Sequence, residues 1–266
     1  MVKERYKMTQ NVKIIIATHK KYQMPKDDMY LPVQVGAEIS ESIGYQPDNE
    51  GDNISLKNPS FCELTGLYWA WKNLDVDYIG LAHYRRHFKG KSKEKNPFQQ
   101  TLTHQEVEDL LSKSDIIVTK KRNYYIENIY NHYAHTLYVE TLDKTRDIIA
   151  KKYPDYLLNF DECMKHTYMH AFNMFIMKKD KLDEYCQWLF DILFTLENEL
   201  SDKQYNSFHS RYPGRVSELL LDVWLEKNHY TYIEVPFIYM EPVNKIRKIL
   251  SFLCAKFFNK KYEGSF

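Results

Sequence analysis

Four cysteines in 266 residues, at positions 62, 163, 186 and 254, are too few and too widely spaced for a disulfide framework or a paired zinc site. A chain at home in a reducing cytoplasm is the expectation. No run of roughly 18 apolar residues occurs, the length that a membrane-crossing helix needs. The polar stretch Met1–Gln10 lacks the apolar core of a secretory signal, so neither export by its own signal nor a membrane span is expected. An excess of one charge is missing too. The 37 Lys and Arg nearly cancel the 36 Asp and Glu, leaving a formal net charge of +1. No global field recruits nucleic acid, and any basic patch must be local. Internal repeats and low-complexity segments are also absent.

What is present is a globular composition, 44% hydrophobic and 27% charged, able to bury a large core. Tyrosine is the unusual component, with 22 copies against 14 Phe and 4 Trp. Most tyrosines are expected to fill the core with the hydroxyl at its edge, while others can stack flat rings or sugar faces. Val12–Thr18 is short, β-branched and bounded by polar residues, which predicts a buried strand, and Leu31–Val35 predicts a second. A polar loop spans Tyr45–Ser60. Leu64, Leu67, Tyr68, Trp71 and Leu74 form one helical face, and the strand Tyr78–Ala82 follows at once. Lys89–Gln100 reads as a lysine-rich loop, with a short helix near Gln105–Ser112 and a strand over Asp115–Thr119. Arg122–Tyr138 has no clean period, and helices flank Tyr153-Pro154. Ala171–Met177 predicts another strand, Tyr185–Leu196 a strong helix, and Val216–Leu225 a last helix after a polar loop. This order is the grammar of an α/β sheet whose ligands gather at strand carboxyl ends.

The most telling segment is the end of the strand at Tyr78, where His83-Tyr84-Arg85-Arg86-His87 replaces the usual turn residues. Arginine forks and a tunable imidazole at a sheet edge suit a bound anion, above all a phosphate. The plainer alternative pairs Arg85 and Arg86 with surface carboxylates and packs His83 in the core. Six stretches in order, Lys13–Lys20 (KIIIATHK), Asn53–Asn58 (NISLKN), Cys62–Asn73 (CELTGLYWAWKN), Ile79–Arg86 (IGLAHYRR), Asn173–Met177 (NMFIM) and Arg215–Glu218 (RVSE), carry a resemblance. Together they resemble a bacterial family of capsular and exopolysaccharide glycosyltransferases first catalogued as a domain of unknown function. The resemblance implies a GT-A-like, Rossmann-type mixed sheet flanked by helices over 1–242. It also implies uridine diphosphate sugar donors, galactofuranose or galactose among them, and polyprenyl-diphosphate-linked glycan acceptors.

Many GT-A enzymes hold the donor through a divalent metal on an Asp-X-Asp motif at a strand end. Asp75-Val76-Asp77 has that form but precedes its strand, at the wrong end, and reads as a loop. His83, Tyr84, Arg85 and Arg86 occupy the expected position, so their charge is assigned to the leaving diphosphate, and no metal is required, although one remains an alternative. Thr18 and His19 after the first strand, with Asp52, Asn53, Ser55 and Asn58, are donor-binding candidates; Asn58, Glu63 and Thr65 could instead cap the next helix. His132 and His135, on a loop expected to close over the donor, and Asn173 are acceptor-side candidates. An inverting transfer needs a base, and Glu218, in the first turn of the helix expected to begin near Val216, is assigned that role. Such an acid is equally favoured there by the helix dipole.

The tail 243–266 differs from the rest. Ile246, Ile249, Leu250, Leu253 and Phe257 share one face, while Lys245, Arg247, Lys248, Lys256, Lys260 and Lys261 add positive charge without an acid. Such a basic amphipathic helix suits the anionic inner face of a cell membrane, where a lipid-linked acceptor would be met; folding back on the core is the other use of that stripe. Two rival functions stand beside glycosyl transfer: a non-catalytic nucleotide-sugar or glycan-binding protein, and a phosphate-handling enzyme such as a nuclease, which the balanced charge disfavours.

Overall fold

A computed structural model describes residues 10–242 together with Phe252, Cys254, Ala255, Lys256 and Lys261. The strands are β1 (Val12–Thr18), β2 (Tyr30–Gln34), β3 (Gln46–Pro47), β4 (Tyr78–His83), β5 (Arg86–Phe88), β6 (Ile116–Thr119), β7 (Arg122–Asn123), β8 (Tyr168–Met169), β9 (Phe175–Lys178), β10 (Ile233–Val235) and β11 (Phe237–Tyr239). The helices are α1 (Asn58–Phe61), α2 (Leu64–Asn73), α3 (His104–Leu111), α4 (Ile129–Thr136), α5 (Glu140–Lys152), α6 (Leu157–Lys165), α7 (Lys179–Glu199) and α8 (Tyr212–Lys227). The main sheet runs β10-β6-β9-β4-β1-β2-β3, with β5 and β11 attached beside β4. It is mixed: β1, β2 and β4 are parallel, while β9 lies antiparallel between β4 and β6.

Register decides which residues meet. Ala17 pairs with His83, so Thr18-His19-Lys20 and Tyr84-Arg85-Arg86 leave the sheet side by side. Leu81 pairs with Phe175 on the antiparallel β9, which brings the preceding Phe172 and Asn173 to that same edge. Tyr239 on β11 pairs with Arg86 on β5 and closes the edge. Behind it lies an apolar core, with Ile14, Ile16, Ile79, Ile117 and Ile176 inaccessible to solvent. Helices α2 and α7 pack on the central strands and on each other, and α5, α6 and α8 form a second layer around α7.

Several expectations shift in detail. The segment Ala171–Met177 is extended only from Phe175, because Phe172 and Asn173 adopt left-handed φ angles of 78° and 54°. Asn173 thus sits in a turn before the strand. The stretch Arg122–Tyr138 contains a real helix, α4, whose Asn128 side chain accepts from the Asn131 N–H at 2.8 Å, so His132 and His135 lie on a helix and not on a closing loop. Helix α8 begins at Tyr212, with Pro213 in its first turn, which places Glu218 in the second turn. Its position there owes little to the helix dipole, which acts within the first turn.

Among the described residues no helix is long and apolar enough to cross a membrane. The described residues of the tail dock on α4: Phe252 stacks on His132 at 5.1 Å, Lys256 pairs with Glu127 at 2.9 Å, and the Lys261 ammonium donates to the Ala134 carbonyl at 3.0 Å. Two of the lysines expected to face a membrane are thereby engaged with the body of the protein. The expected stripe Ile246, Ile249, Leu250, Leu253 and Phe257, and the charges of Lys245, Arg247, Lys248 and Lys260, lie outside the described residues.

Candidate active site

The carboxyl edge of β1 and β4 is cationic. Lys20 stands 4.9 Å above the Tyr84 ring, Arg85 lies 5.5 Å from it, and Arg86 stacks 4.3 Å over Phe172 and 5.8 Å from Tyr239. Tyr84 is buried and serves as the platform, with His19 edge-on at 5.3 Å and Tyr22 at 5.1 Å. Thr18 does not point outward. Its buried hydroxyl donates to the Lys20 carbonyl at 2.7 Å and accepts from the Lys20 N–H, shaping the turn that presents His19 and Lys20.

The Nε atoms of both Arg85 and Arg86 are buried without a hydrogen-bond partner among the described residues. Buried donors of this kind are normally satisfied, so two left open side by side at a sheet edge are available to an acceptor from outside the chain. Both imidazoles are kept neutral. Burial, then Arg86 and Arg85, pushes His83 down to about 2, and partial burial, then Arg85, Lys20 and Arg211, lowers His19. His83 Nδ1 accepts the Arg85 backbone N–H at 3.2 Å, which orients the ring. A ligand anion would therefore meet fixed guanidinium charge and neutral imidazole.

Two carboxylates are tied to the Phe172-Asn173 turn on which Arg86 lies. Glu218 Oε2 accepts the Phe172 backbone N–H at 2.8 Å, and Glu63 Oε1 accepts from the Asn173 amide at 2.9 Å. That amide also donates to the Gly214 carbonyl at 3.2 Å, and Ser217 donates to its oxygen at 3.0 Å, so every polar atom of the Asn173 side chain is committed inside the protein. Glu63 precedes α2 but makes no capping bond with its side chain. Burial and then the nearby charge of Glu218 hold its carboxyl above the usual range, with Arg86 partly opposing. Glu218 also lines a cavity of about 140 Å³ with Tyr124, His132, Tyr133 and Arg215. Burial there pushes the Tyr124 phenol up to about 12.

The remaining candidates are not all brought to this edge. Asp52 lies at the far end of α2, where its N–H donates to Asn73 Oδ1 at 3.1 Å and its carboxylate accepts from Tyr68 at 3.3 Å. The Asn53 amide holds its own turn through the Asn49 and Gly51 carbonyls. Ser55 is fully buried and donates to Asp48, a buried carboxylate that also collects Gly36 N–H, Ala37 N–H and the Thr65 hydroxyl. Asn58 is spent on the Cys62 carbonyl at 2.8 Å. The polar side chains of Asn53, Ser55 and Asn58 are spent inside their own turns and on Asp48, while Asp52 stays exposed beside Tyr68, away from the cationic edge. His132 lines the cavity, whereas His135 pairs with Glu127 at 2.9 Å. Asp77 caps the opposite, amino edge of the sheet by accepting the Asn11 N–H at 2.8 Å, as a loop before β4 should.

Residues 13–229 match the family described as Domain of unknown function (DUF4422). The chain belongs to the DUF4422 family. No curated protein matches it. Among solved structures, the apo form of a bifunctional glycosyltransferase, WbbM, superposes with a TM-score of 0.79 at 29% identity, over 87% of this chain and 46% of that one. The DUF4422 chain thus spans under half the length of that protein, and its mixed sheet flanked by helices is a GT-A-like fold. Lys20, Arg211, Glu63 and Phe172 join the candidate site of this DUF4422 chain, and sequence reasoning did not assign them. Lys20 follows directly on Thr18-His19 and was within reach; the place of Phe172 depends on a left-handed backbone that its strand-like surroundings conceal.

Proposed function

We propose that this chain transfers a glycosyl group from a uridine diphosphate sugar to a glycan acceptor. The observation that carries the reading is the pair of arginines with open, buried Nε donors at a GT-A-like sheet edge, one of them stacked on Phe172, whose N–H Glu218 binds. Similarity to the bifunctional glycosyltransferase supports it. In this reading the diphosphate lies against Lys20, Arg85 and Arg86, whose fixed charge stabilises it as it departs. Glu218 keeps Oε2 on the Phe172 N–H and uses Oε1 as the base. The acceptor hydroxyl gives its proton to Glu218, its oxygen bonds to the anomeric carbon, and the bond from that carbon to the phosphate oxygen breaks, so the configuration inverts. The aromatic cavity around Tyr124, His132 and Tyr133 receives the acceptor.

Charge neutralisation by arginine and lysine makes a metal unnecessary for this step in the proposal. Galactofuranose or galactose as the sugar, a polyprenyl-diphosphate-linked acceptor, a role in capsule or exopolysaccharide synthesis and work at the inner face of the membrane complete the reading, from family resemblance. Glu218→Gln tests the chemistry against a protein that only binds. Transfer is expected to fall by about 100-fold or more while calorimetric affinity for uridine diphosphate stays at the parent value. Parent-like turnover would remove Glu218 from catalysis.

A further inference from the structure

Away from the cleft, where α6 ends against α8, three unlike donors converge. Cys163 Sγ, His166 and Glu226 offer ligand atoms that all lie within 4.8 Å of one another. The first two come from a Cys-x-x-His spacing at the end of α6, fixed by the His166 N–H donating to the Cys163 carbonyl at 3.1 Å. Glu226 comes from the last turn of α8. His166 Nδ1 and Glu226 Oε1 are 3.8 Å apart, too far for a hydrogen bond and about 0.4 Å beyond the separation of two ligands on a tetrahedral ion with bonds of about 2.0–2.1 Å, a gap that rotation of two part-exposed side chains can close. We propose that Cys163, His166 and Glu226 form a binding site for a soft divalent cation, zinc above all, that ties α6 to α8.

Donor chemistry selects the ion. A thiolate and an imidazole favour zinc over magnesium or calcium, which prefer oxygen alone. A thiolate with a carboxylate contributes two negative charges, matched to a divalent ion. In the metal-free chain burial, then Glu226, holds the thiol above its ordinary range. Binding breaks the S–H bond, forms the sulfur–metal bond and releases the proton to solvent. His166 and Glu226 are 28% and 34% exposed, giving the ion a route from solvent and leaving the fourth position to water. Lys121 is the opposing charge nearby, and Asp222 offsets it. Glu226 stands eight residues along α8 from Glu218, about 12 Å away. The ion would therefore brace the helix that carries the base without touching donor or acceptor.

The test uses the full chain, stripped with a chelator and dialysed, then titrated with Co²⁺ and separately with Zn²⁺. One equivalent of Co²⁺ should produce a thiolate-to-cobalt charge-transfer band, and Zn²⁺ should displace it and raise the melting temperature. Cys163→Ser should abolish the band, and the partly exposed Glu226→Gln, which can keep the fold, should weaken binding by at least about 10-fold. Absence of the band in the parent protein would overturn the proposal, as would a band that survives in Cys163→Ser, which would place the metal on another cysteine.

Discussion

Replacing Arg86 by alanine should strike donor binding harder than any other single change on the cationic edge. Its guanidinium lies over the Phe172 ring with Tyr239 beside it, so it is held in place before a ligand arrives, and its Nε has no partner to return to among the described residues. A charge-assisted bond to a desolvated phosphate is worth about 1.5–3 kcal/mol, equivalent to uridine diphosphate binding about 10- to 150-fold more weakly in Arg86→Ala. Loss of the ring contacts should cost stability as well, by about 0.5–1 kcal/mol, which a thermal melt measures separately. Arg86→Lys keeps the charge but loses the planar fork, and should fall between parent and alanine. Titration calorimetry at low and high salt reads both effects. Lys72→Ala is the control, because Lys72 stacks 3.6 Å over Trp71 in the last turn of α2, away from the edge, and should leave affinity unchanged. A folded Arg86→Ala protein with parent affinity would refute the assignment of this edge to a diphosphate.

Two further outcomes are expected. His87 is fully buried with both ring nitrogens unpartnered among the described residues, and burial holds it near a pKa of about 3, below its ordinary value of 6.5; its neutral form therefore contributes stability above pH 6.5 that is lost as pH falls toward 3. The slope is about 1.4 kcal/mol per pH unit, so His87→Phe should lose about 2 kcal/mol less than the parent between pH 7 and 5 in urea denaturation, and equal losses would dismiss His87 as the acid-sensitive group. Lys256→Met strips a partner from Glu127, whose carboxylate is 4% exposed, and should cost about 1.5–3 kcal/mol in the same assay; an unchanged value would mean that the tail does not dock on α4 in solution.

Legibility followed the range of the forces involved. β1, α2 and β4 were readable because their periodic burial is written in consecutive residues, and the edge cluster His83–Arg86 was readable because charge at a strand end breaks a local pattern. The start of α8 was missed although Pro213 in its first turn is a local signal, and so was α4, for which Asn128 is a capping signal. Asp52, Asn53, Ser55 and Asn58 look ligand-binding in isolation. The hydrogen bonds of Asn53, Ser55 and Asn58 are taken up by their own turns and by Asp48, and Asp52 is held at the far end of α2; no reading of polar residues one at a time could show that placement.

The turn at Phe172-Asn173 was least legible and links Arg86 to Glu218. Asparagine tolerates a left-handed φ, but a phenylalanine at 78° costs on the order of 1–3 kcal/mol, which glycine would avoid. The strain persists because partners distant in sequence hold both residues: Glu218 binds the Phe172 N–H, and Glu63 and Gly214 bind the Asn173 amide. Glycine there would relax the backbone and remove the ring on which Arg86 lies. Arg86 and Glu218 are thus fixed through one residue, so in the proposed mechanism the geometry of leaving group and base is set together by that strained turn.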